Sequence, residues 1–327
     1  MISVPTVDIG PALAGEPGAV AEAARALDEA CTTSGFFVIT GHGVSPALVE
    51  DVMAQGRRFF RLPLEDKQRV APPRPEHYRG YLGMDTTSLA ATLGDEVPPD
   101  LCESFNINRF DDPAARERAY VEGADAALHP NLWPENPAEL RPVLERYYEV
   151  MEQLCVGLLP IFAGALGLPS TWFDDKVAEH TALLLLNWYP PVSGAARPAQ
   201  LRRGAHTDYG AFTIVAAEQI PGLQILLDDT WVDVPAVPGG FVVNLGDLMA
   251  RWTNDRWVST LHRVVIPGGL DQKRDRMSVP YFFQPSYGAL IETIPTTVTD
   301  DRPSRYEPVI SGKWITAKSM SMLEDQA

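Results

Sequence analysis

The apolar and polar positions of this chain change rhythm twice, and each change marks a different kind of structure. Up to about residue 60, short apolar runs alternate with helical stripes. Residues 4–9 predict a strand, and residues 18–33 an Ala-rich helix with Val20, Ala24, Leu27 and Cys31 on one face. Phe36-Phe37-Val38-Ile39-Thr40, bounded by Gly35 and by Gly41-His42-Gly43, predicts a buried strand that ends in a tight turn. His42 then reads as a strand-end imidazole bonded to backbone. Ser45-Pro46 opens a helix to about Phe60, with serine as N-cap and proline at the first helical position.

The periodicity breaks over residues 69–110, where prolines stand at 72, 73, 75, 98 and 99. This segment predicts a loop region facing a substrate. Its polar and aromatic clusters, His77-Tyr78-Arg79-Gly80-Tyr81 and Glu103-Ser104-Phe105-Asn106, are candidate pocket groups, with solvated loop residues as the alternative. A long helical stripe follows over 138–166, with Leu140, Leu144, Tyr147, Met151, Leu154 and Leu158 on one face, and predicts a scaffold helix packed on a sheet. From about residue 181 the pattern becomes strand-like. Apolar runs at 181–189, 212–217, 223–227, 231–234, 241–245, 264–266 and 278–284, separated by Gly, Pro and Asp turns, predict a jelly roll or related double sheet.

The fold expected is therefore mainly β with packed helices (α+β). A helical and substrate-loop region over 1–110 and scaffold helices over 111–180 would pack on a β core over 181–327, as one unit. With 45% hydrophobic residues, a chain of 327 can bury a sizeable core. A formal charge of -16 disfavours nucleic acid and acidic membranes as partners, so an anionic substrate must be caught by local arginines. Cys31, Cys102 and Cys155 are odd in number and widely spaced, which points to reduced thiols in the cytoplasm, as small core residues. The N-terminus has no export signature, and no run reaches the roughly 18 apolar residues a membrane span needs. The expected partner is a small molecule; charge does not choose between monomer and oligomer.

Candidate chemistry gathers at His206-Thr207-Asp208. On an extended strand residues i and i+2 share a face, so these side chains can offer a nitrogen and a carboxylate oxygen to one ion. Among six histidines, His262, at the entry to another apolar run, is the candidate third ligand. Two histidines and one carboxylate form the facial triad of non-haem Fe(II) oxygenases, which leaves adjacent positions open. A structural zinc site would close its shell with four ligands, and no cysteine lies near. Taken alone, His-x-Asp also fits strand-end residues that cap backbone groups.

Several motifs together resemble the isopenicillin N synthase-like family of Fe(II)/2-oxoglutarate-dependent dioxygenases over nearly the whole chain. They are Gly35-Phe36-Phe37 with Gly41-His42-Gly43, Glu103-Ser104-Phe105, Asn187-Trp188-Tyr189-Pro190, His206-Thr207-Asp208, Pro221-Gly222-Leu223-Gln224, Val243-Asn244-Leu245-Gly246-Asp247, Leu261-His262-Arg263-Val264 and Arg276-Met277-Ser278. The resemblance implies a double-stranded β-helix, a distorted jelly roll, with the metal inside one end. It implies that His206, Asp208 and His262 bind Fe(II), and that Arg276, Ser278 and Tyr189 hold the distal carboxylate of 2-oxoglutarate, with Asn187 nearby. A planar guanidinium with a hydroxyl two residues on suits a carboxylate on physical grounds too. The implied reaction couples O2 and decarboxylation of 2-oxoglutarate, which releases succinate and CO2, to oxidation of an unactivated C–H bond by hydroxylation, desaturation or cyclisation.

One departure concerns spacing: fourteen positions separate His262 from Arg276, longer than the family's usual interval. An enlarged turn over 268–275 would absorb the excess, and Arg274 is a fallback without a hydroxyl partner at the matching offset. For the substrate, Arg79 is the candidate for a carboxylate or other anion, flanked by Tyr78 and Tyr81. Trp252, beside Arg251, and Phe283 are further pocket candidates, with core packing as their alternative. The substrate expected is a small molecule of specialised metabolism, antibiotic biosynthesis among the contexts. Three other functions compete. The first is a same-fold iron oxidase that uses O2 without 2-oxoglutarate, of the isopenicillin N synthase type. A metal-binding module without turnover is disfavoured by the intact triad, and a zinc hydrolase by the lack of a positioned Glu base.

Overall fold

A computed structural model describes residues 4–84, 98–192, 197 and 199–324 of the chain. In chain order the elements are β1 (Thr6–Asp8), α1 (Gly10–Leu13), α2 (Ala19–Thr33), β2 (Phe36–Thr40), α3 (Pro46–Phe60), α4 (Leu64–Gln68), β3 (Gly80–Leu82), β4 (Glu103–Ile107), α5 (Pro113–Ala119), α6 (Leu140–Ala165) and α7 (Asp174–Val177). The β-rich part follows: β5 (Leu183–Tyr189), β6 (Arg203–His206), β7 (Phe212–Ala217), β8 (Leu223–Leu227), β9 (Thr230–Asp233), β10 (Phe241–Leu245), α8 (Asp247–Trp252), β11 (His262–Val264), β12 (Arg276–Phe283), β13 (Leu290–Ile291), β14 (Val309–Ile310) and α9 (Ser311–Glu324).

Eight strands form one sheet in the order β1-β2-β10-β7-β12-β5-β4-β3, and four form a second in the order β6-β11-β8-β9. Except for the parallel pair β1 and β2, neighbours are antiparallel. Phe36 and Val38 of the large sheet pack with Ile225 and Leu227 of the small one, so two sheets close over a shared interior, the jelly-roll plan. The other face of the large sheet carries the helices. α6 buries Leu144, Met151, Leu158 and Phe162 and packs against α2 and α3. Gly56 lets α3 settle on the sheet, since a Cβ there would stand 2.7 Å from Met277 Cε.

Helices and central strands follow the apolar rhythm to within a residue or two. Three features differ. The loop expected over 69–110 contains β3 and β4, and every residue of β4 is buried. β4 is paired along its backbone on both edges, and Ser104 and Glu103 meet Asn187, Tyr81 and Lys67, partners distant in sequence, where the sequence offered only a broken pattern. Residues 85–97 of that loop lie outside the described residues. Among the described residues up to 110, β1 to β4 thus belong to the large sheet itself, while α2 and α3 pack on it. Ser45 precedes α3 as expected but makes no side-chain cap bond. His42 receives the Val44 N–H on Nδ1 and donates from Nε2 to the Gly239 carbonyl at 2.8 Å, a backbone role.

Candidate metal centre

The register of β6 and β11 sets His206 opposite His262, with ring centroids 4.2 Å apart. Asp208 is not on that strand. β6 ends at His206, and Asp208 stands in the following loop, which corrects the expectation of one extended face. The start of α8 brings the carboxylate round. Asp247 N–H donates to the Asp208 carbonyl at 2.7 Å, and Gly246 N–H to the Ala211 carbonyl at 3.0 Å. A Cβ on Gly246 would stand 2.4 Å from the Gly210 oxygen, so this approach requires glycine.

Asp208 Oδ1 lies 3.8 Å from Nε2 of His206 and 3.8 Å from Nε2 of His262. One donor atom from each residue falls within 4.8 Å of the others. Hydrogen bonds decide which atoms are offered. Nδ1 of His206 meets the Gly204 carbonyl at 2.8 Å and Nδ1 of His262 the Thr260 carbonyl at 3.1 Å. A carbonyl only accepts, so both Nδ1 atoms carry the proton and both Nε2 lone pairs face inward. Asp208 Oδ2 accepts from Asn244 Nδ2 at 2.7 Å and from the Thr213 hydroxyl, which leaves Oδ1 for the centre. Burial, reinforced by His262, drives the His206 pKa down to about 3. For Asp208 burial pushes upward, but His262, His206 and the two hydrogen bonds outweigh it and keep the carboxylate ionised. Two neutral nitrogens and one anionic oxygen, crowded at one end of a cavity, suit Fe(II) with open positions.

A second group sits on β5 and β12, where Arg276 pairs with Tyr189 and Ser278 with Asn187. Arg276 is 3% exposed. Its Nε donates to the Ile220 carbonyl at 3.3 Å, but its buried Nη1 has no hydrogen-bond partner. The Tyr189 ring centroid is 5.3 Å from the guanidinium, and the Tyr189 hydroxyl is 3.5 Å from Ser278 Oγ. An unmet buried donor costs about 1–3 kcal/mol, so this corner fits a carboxylate such as that of 2-oxoglutarate. Arg274, the fallback, is exposed and paired with Asp271.

Both groups open on one cavity of about 230 Å³. Its walls include Leu183, Leu185, Val215, Pro280 and Phe282, and α9 closes one side with Ile315, Thr316 and Ser319. Trp314 anchors α9 by donating to the Tyr209 carbonyl at 3.2 Å.

Of the substrate candidates, only Arg79 lines this cavity. It is buried, donates to the carbonyls of Tyr78 at 2.9 Å and Ala127 at 2.6 Å, and leaves Nε unpartnered. Burial lowers its pKa to about 10. Tyr81 turns away: its hydroxyl donates to Glu103 at 2.8 Å, and its ring meets Phe59. Positive φ at Tyr78 and Gly80 breaks the alternation that would have set 79 and 81 on one face. Trp252 is buried against Trp172 and Phe173. Phe283, an odd number of residues from Ser278, faces the helical core beside Phe212. Asn244 and Thr213 were not singled out as site residues, although each is a lone polar residue in an apolar strand, a signal that it has a buried partner.

Two histidines and a carboxylate that leave one side open, inside a jelly roll, define the non-haem iron oxygenases as a class. Comparison with known proteins narrows this. Residues 4–136 match the family of the N-terminal region of non-haem dioxygenases in morphine synthesis, and residues 180–285 match the 2OG-Fe(II) oxygenase superfamily. The chain is 33% identical to Validamycin A dioxygenase of Streptomyces hygroscopicus subsp. limoneus, over 99% of this chain and 87% of that protein. It is 37% identical to the 2-oxoglutarate-dependent dioxygenase citB of Monascus ruber, over 86% and 84%. A full-length Neurospora crassa protein solved with alpha-KG and thymine superposes with a TM-score of 0.86 at 29% identity, over 97% and 96%. The chain belongs to the 2OG-Fe(II) oxygenase superfamily. It is an Fe(II)- and 2-oxoglutarate-dependent dioxygenase, and the reading as an oxidase independent of the keto acid gives way.

Proposed function

We propose that this dioxygenase oxidises an unactivated C–H bond of a small organic molecule bearing an anionic group, in specialised metabolism, antibiotic biosynthesis included. In this reading His206 Nε2, Asp208 Oδ1 and His262 Nε2 hold Fe(II), while Arg276, Ser278, Tyr189 and Asn187 hold 2-oxoglutarate. Arg79 takes the anionic end of the substrate. The carrying observation is the convergence of three fixed donor atoms beside a cavity that is also lined by Arg276, whose Nη1 is without a partner. The relative named for validamycin A supports the metabolic context. Three buried free cysteines support a reducing, cytoplasmic setting, which cell fractionation tests.

When bound, Fe(II) and 2-oxoglutarate supply the oxidation by O2 that releases succinate and CO2. The chain's own residues do the rest. The Nδ1 bonds to Gly204 and Thr260 stop the imidazoles from rotating, and Asn244 and Thr213 fix the Asp208 carboxylate. Arg276 and Ser278 orient the keto acid by its far carboxylate. Leu183, Leu185, Val215 and Phe282 form an apolar wall that excludes water beside the reacting carbon.

Anaerobic titration of the Fe(II)-loaded protein with 2-oxoglutarate tests these assignments. A weak visible charge-transfer band is expected, lost in His206→Ala and weakened in Arg276→Ala. A band that persists unchanged in both variants would sink them.

A further inference from the structure

Asn187 is held in a way that its place in the co-substrate pocket does not explain. On β5 it lies in register between Ser104 of β4 and Ser278 of β12. Its Oδ1 accepts from Ser104 Oγ at 2.7 Å and from Arg203 Nη2 at 3.1 Å, with the Cys102 thiol 3.8 Å away. An amide oxygen has two lone pairs, so these two donors fill it. A guanidinium only donates, so the flipped amide would set N–H against N–H, and one orientation alone is permitted. Nδ2, the donor end, is left for other partners, and Asn187 lines the cavity.

Arg203 is itself fixed. Its Nη1 lies 3.6 Å from Asp100 Oδ2, and Asp100 Oδ1 accepts the Gly204 N–H at 2.7 Å. Asp100 therefore ties the Arg203 guanidinium to the strand that ends at His206 and offsets the buried charge.

We propose that Arg203 and Ser104 are positioning residues that lock the Asn187 carboxamide with its N–H donors available to a carboxylate of 2-oxoglutarate. This rests on the reading of Asn187 as a co-substrate contact. With either anchor removed, the carboxamide is free to swing about its Cβ–Cγ bond, and its N–H donors lose their aim at the anion. The loss is one charge-assisted hydrogen bond, about tenfold in affinity.

The test is anaerobic titration of Fe(II)-loaded protein with 2-oxoglutarate, with Fe(II) affinity measured in parallel, for Ser104→Ala, Ser104→Thr, Arg203→Lys and Arg276→Ala. Ser104→Ala is expected to weaken 2-oxoglutarate about tenfold at unchanged Fe(II) affinity, Ser104→Thr to restore it, and Arg203→Lys to weaken it at least as much as Ser104→Ala. If Ser104→Ala titrates like wild type while Arg276→Ala is impaired, the positioning role is wrong and the co-substrate assignment stands. If Arg276→Ala also titrates like wild type, the assignment falls and the proposal with it. Should Arg203→Lys fail to fold, the Ser104 pair decides alone; equal weakening in Ser104→Ala and Ser104→Thr overturns the proposal.

Discussion

Along β12, Arg276, Ser278, Pro280 and Phe282 line the cavity, while Met277, Val279, Tyr281 and Phe283 lie in the apolar core under the helices. The strand is one stretch of backbone, yet its two faces answer to different demands. The core face is close-packed, with the Tyr281 ring 5.0 Å from Tyr148 and the Phe283 ring 5.1 Å from Phe212. The cavity face leaves a charged guanidinium donor of Arg276 without a partner, whereas the buried group left without one on the core face is the neutral Tyr281 hydroxyl, which is far cheaper to bury. Stability and chemistry are thus separated by the parity of residue number, and substitutions on the two faces should be separable in the laboratory.

Phe283→Ala is expected to have the largest effect, a loss of about 3–5 kcal/mol in stability, because it opens a void among packed rings. Ser278→Ala on the opposite face should change stability by less than about 1 kcal/mol and weaken 2-oxoglutarate about tenfold. Chemical denaturation and anaerobic titration of both variants check the pair; if Ser278→Ala is the more unstable, the division between faces is wrong.

Arg79 carries the same contrast to a different wall of the cavity. Its burial without a carboxylate among its hydrogen-bond partners leaves it poised for an anion. Arg79→Ala should raise the substrate KM by about ten- to a hundredfold, the worth of a charge-assisted contact, while turnover of 2-oxoglutarate without substrate stays near wild type. An unchanged KM would remove Arg79 from the substrate site.

Charge on the metal face also gives an acid-side pH signature, whereas burial on the core face raises the Tyr281 pKa and acts only at alkaline pH. His206 titrates near 3 in the metal-free fold against about 6.5 when unfolded. Between those values the unfolded chain binds more protons, so stability must fall as pH drops from about 6.5 towards 3. The Asp208 carboxylate adds stability above its unfolded value near 3.8 and loses it only below, in a window that overlaps the acid end of the His206 range and lies below about pH 5. Thermal unfolding of metal-free protein from pH 7 to 5 should show a declining Tm that flattens in His206→Gln.

How much of this was legible depends on whether a signal was local. The spacings His206-x-Asp208 and Arg276-x-Ser278 sit within three residues each, and the apolar runs flanking them mark the strands. What failed needed partners from elsewhere. Glu103–Ile107 reads as a loop because Ser104 and Glu103 are matched only by residues distant in sequence, Ser104 by Asn187 and Glu103 by Tyr81 and Lys67. Tyr81 turns away from the cavity because the backbone takes positive φ at Tyr78 and again at Gly80, on either side of Arg79, which alternation cannot reveal. Thr213 and Asn244 come together only once β7 and β10 pair, with Thr213 opposite Asn244.

Parity also has a limit, and Arg274 sets it. It shares its even number with Arg276 and Ser278 and would stand on the cavity face if β12 began two residues earlier. The strand instead begins at Arg276 and follows a short 3-10 turn over Asp271–Lys273, so the Arg274 side chain is 62% exposed and meets Asp271 at 3.4 Å. An exposed pair of this kind contributes little, since solvent screens it and both side chains lose freedom to hold it. Arg274→Ala should therefore leave stability within about 0.5 kcal/mol of wild type and 2-oxoglutarate affinity unchanged. A clear loss of affinity in that variant would mean that the long turn after His262 folds onto the cavity when the co-substrate is bound, and that the cavity face extends beyond the strand that defines it.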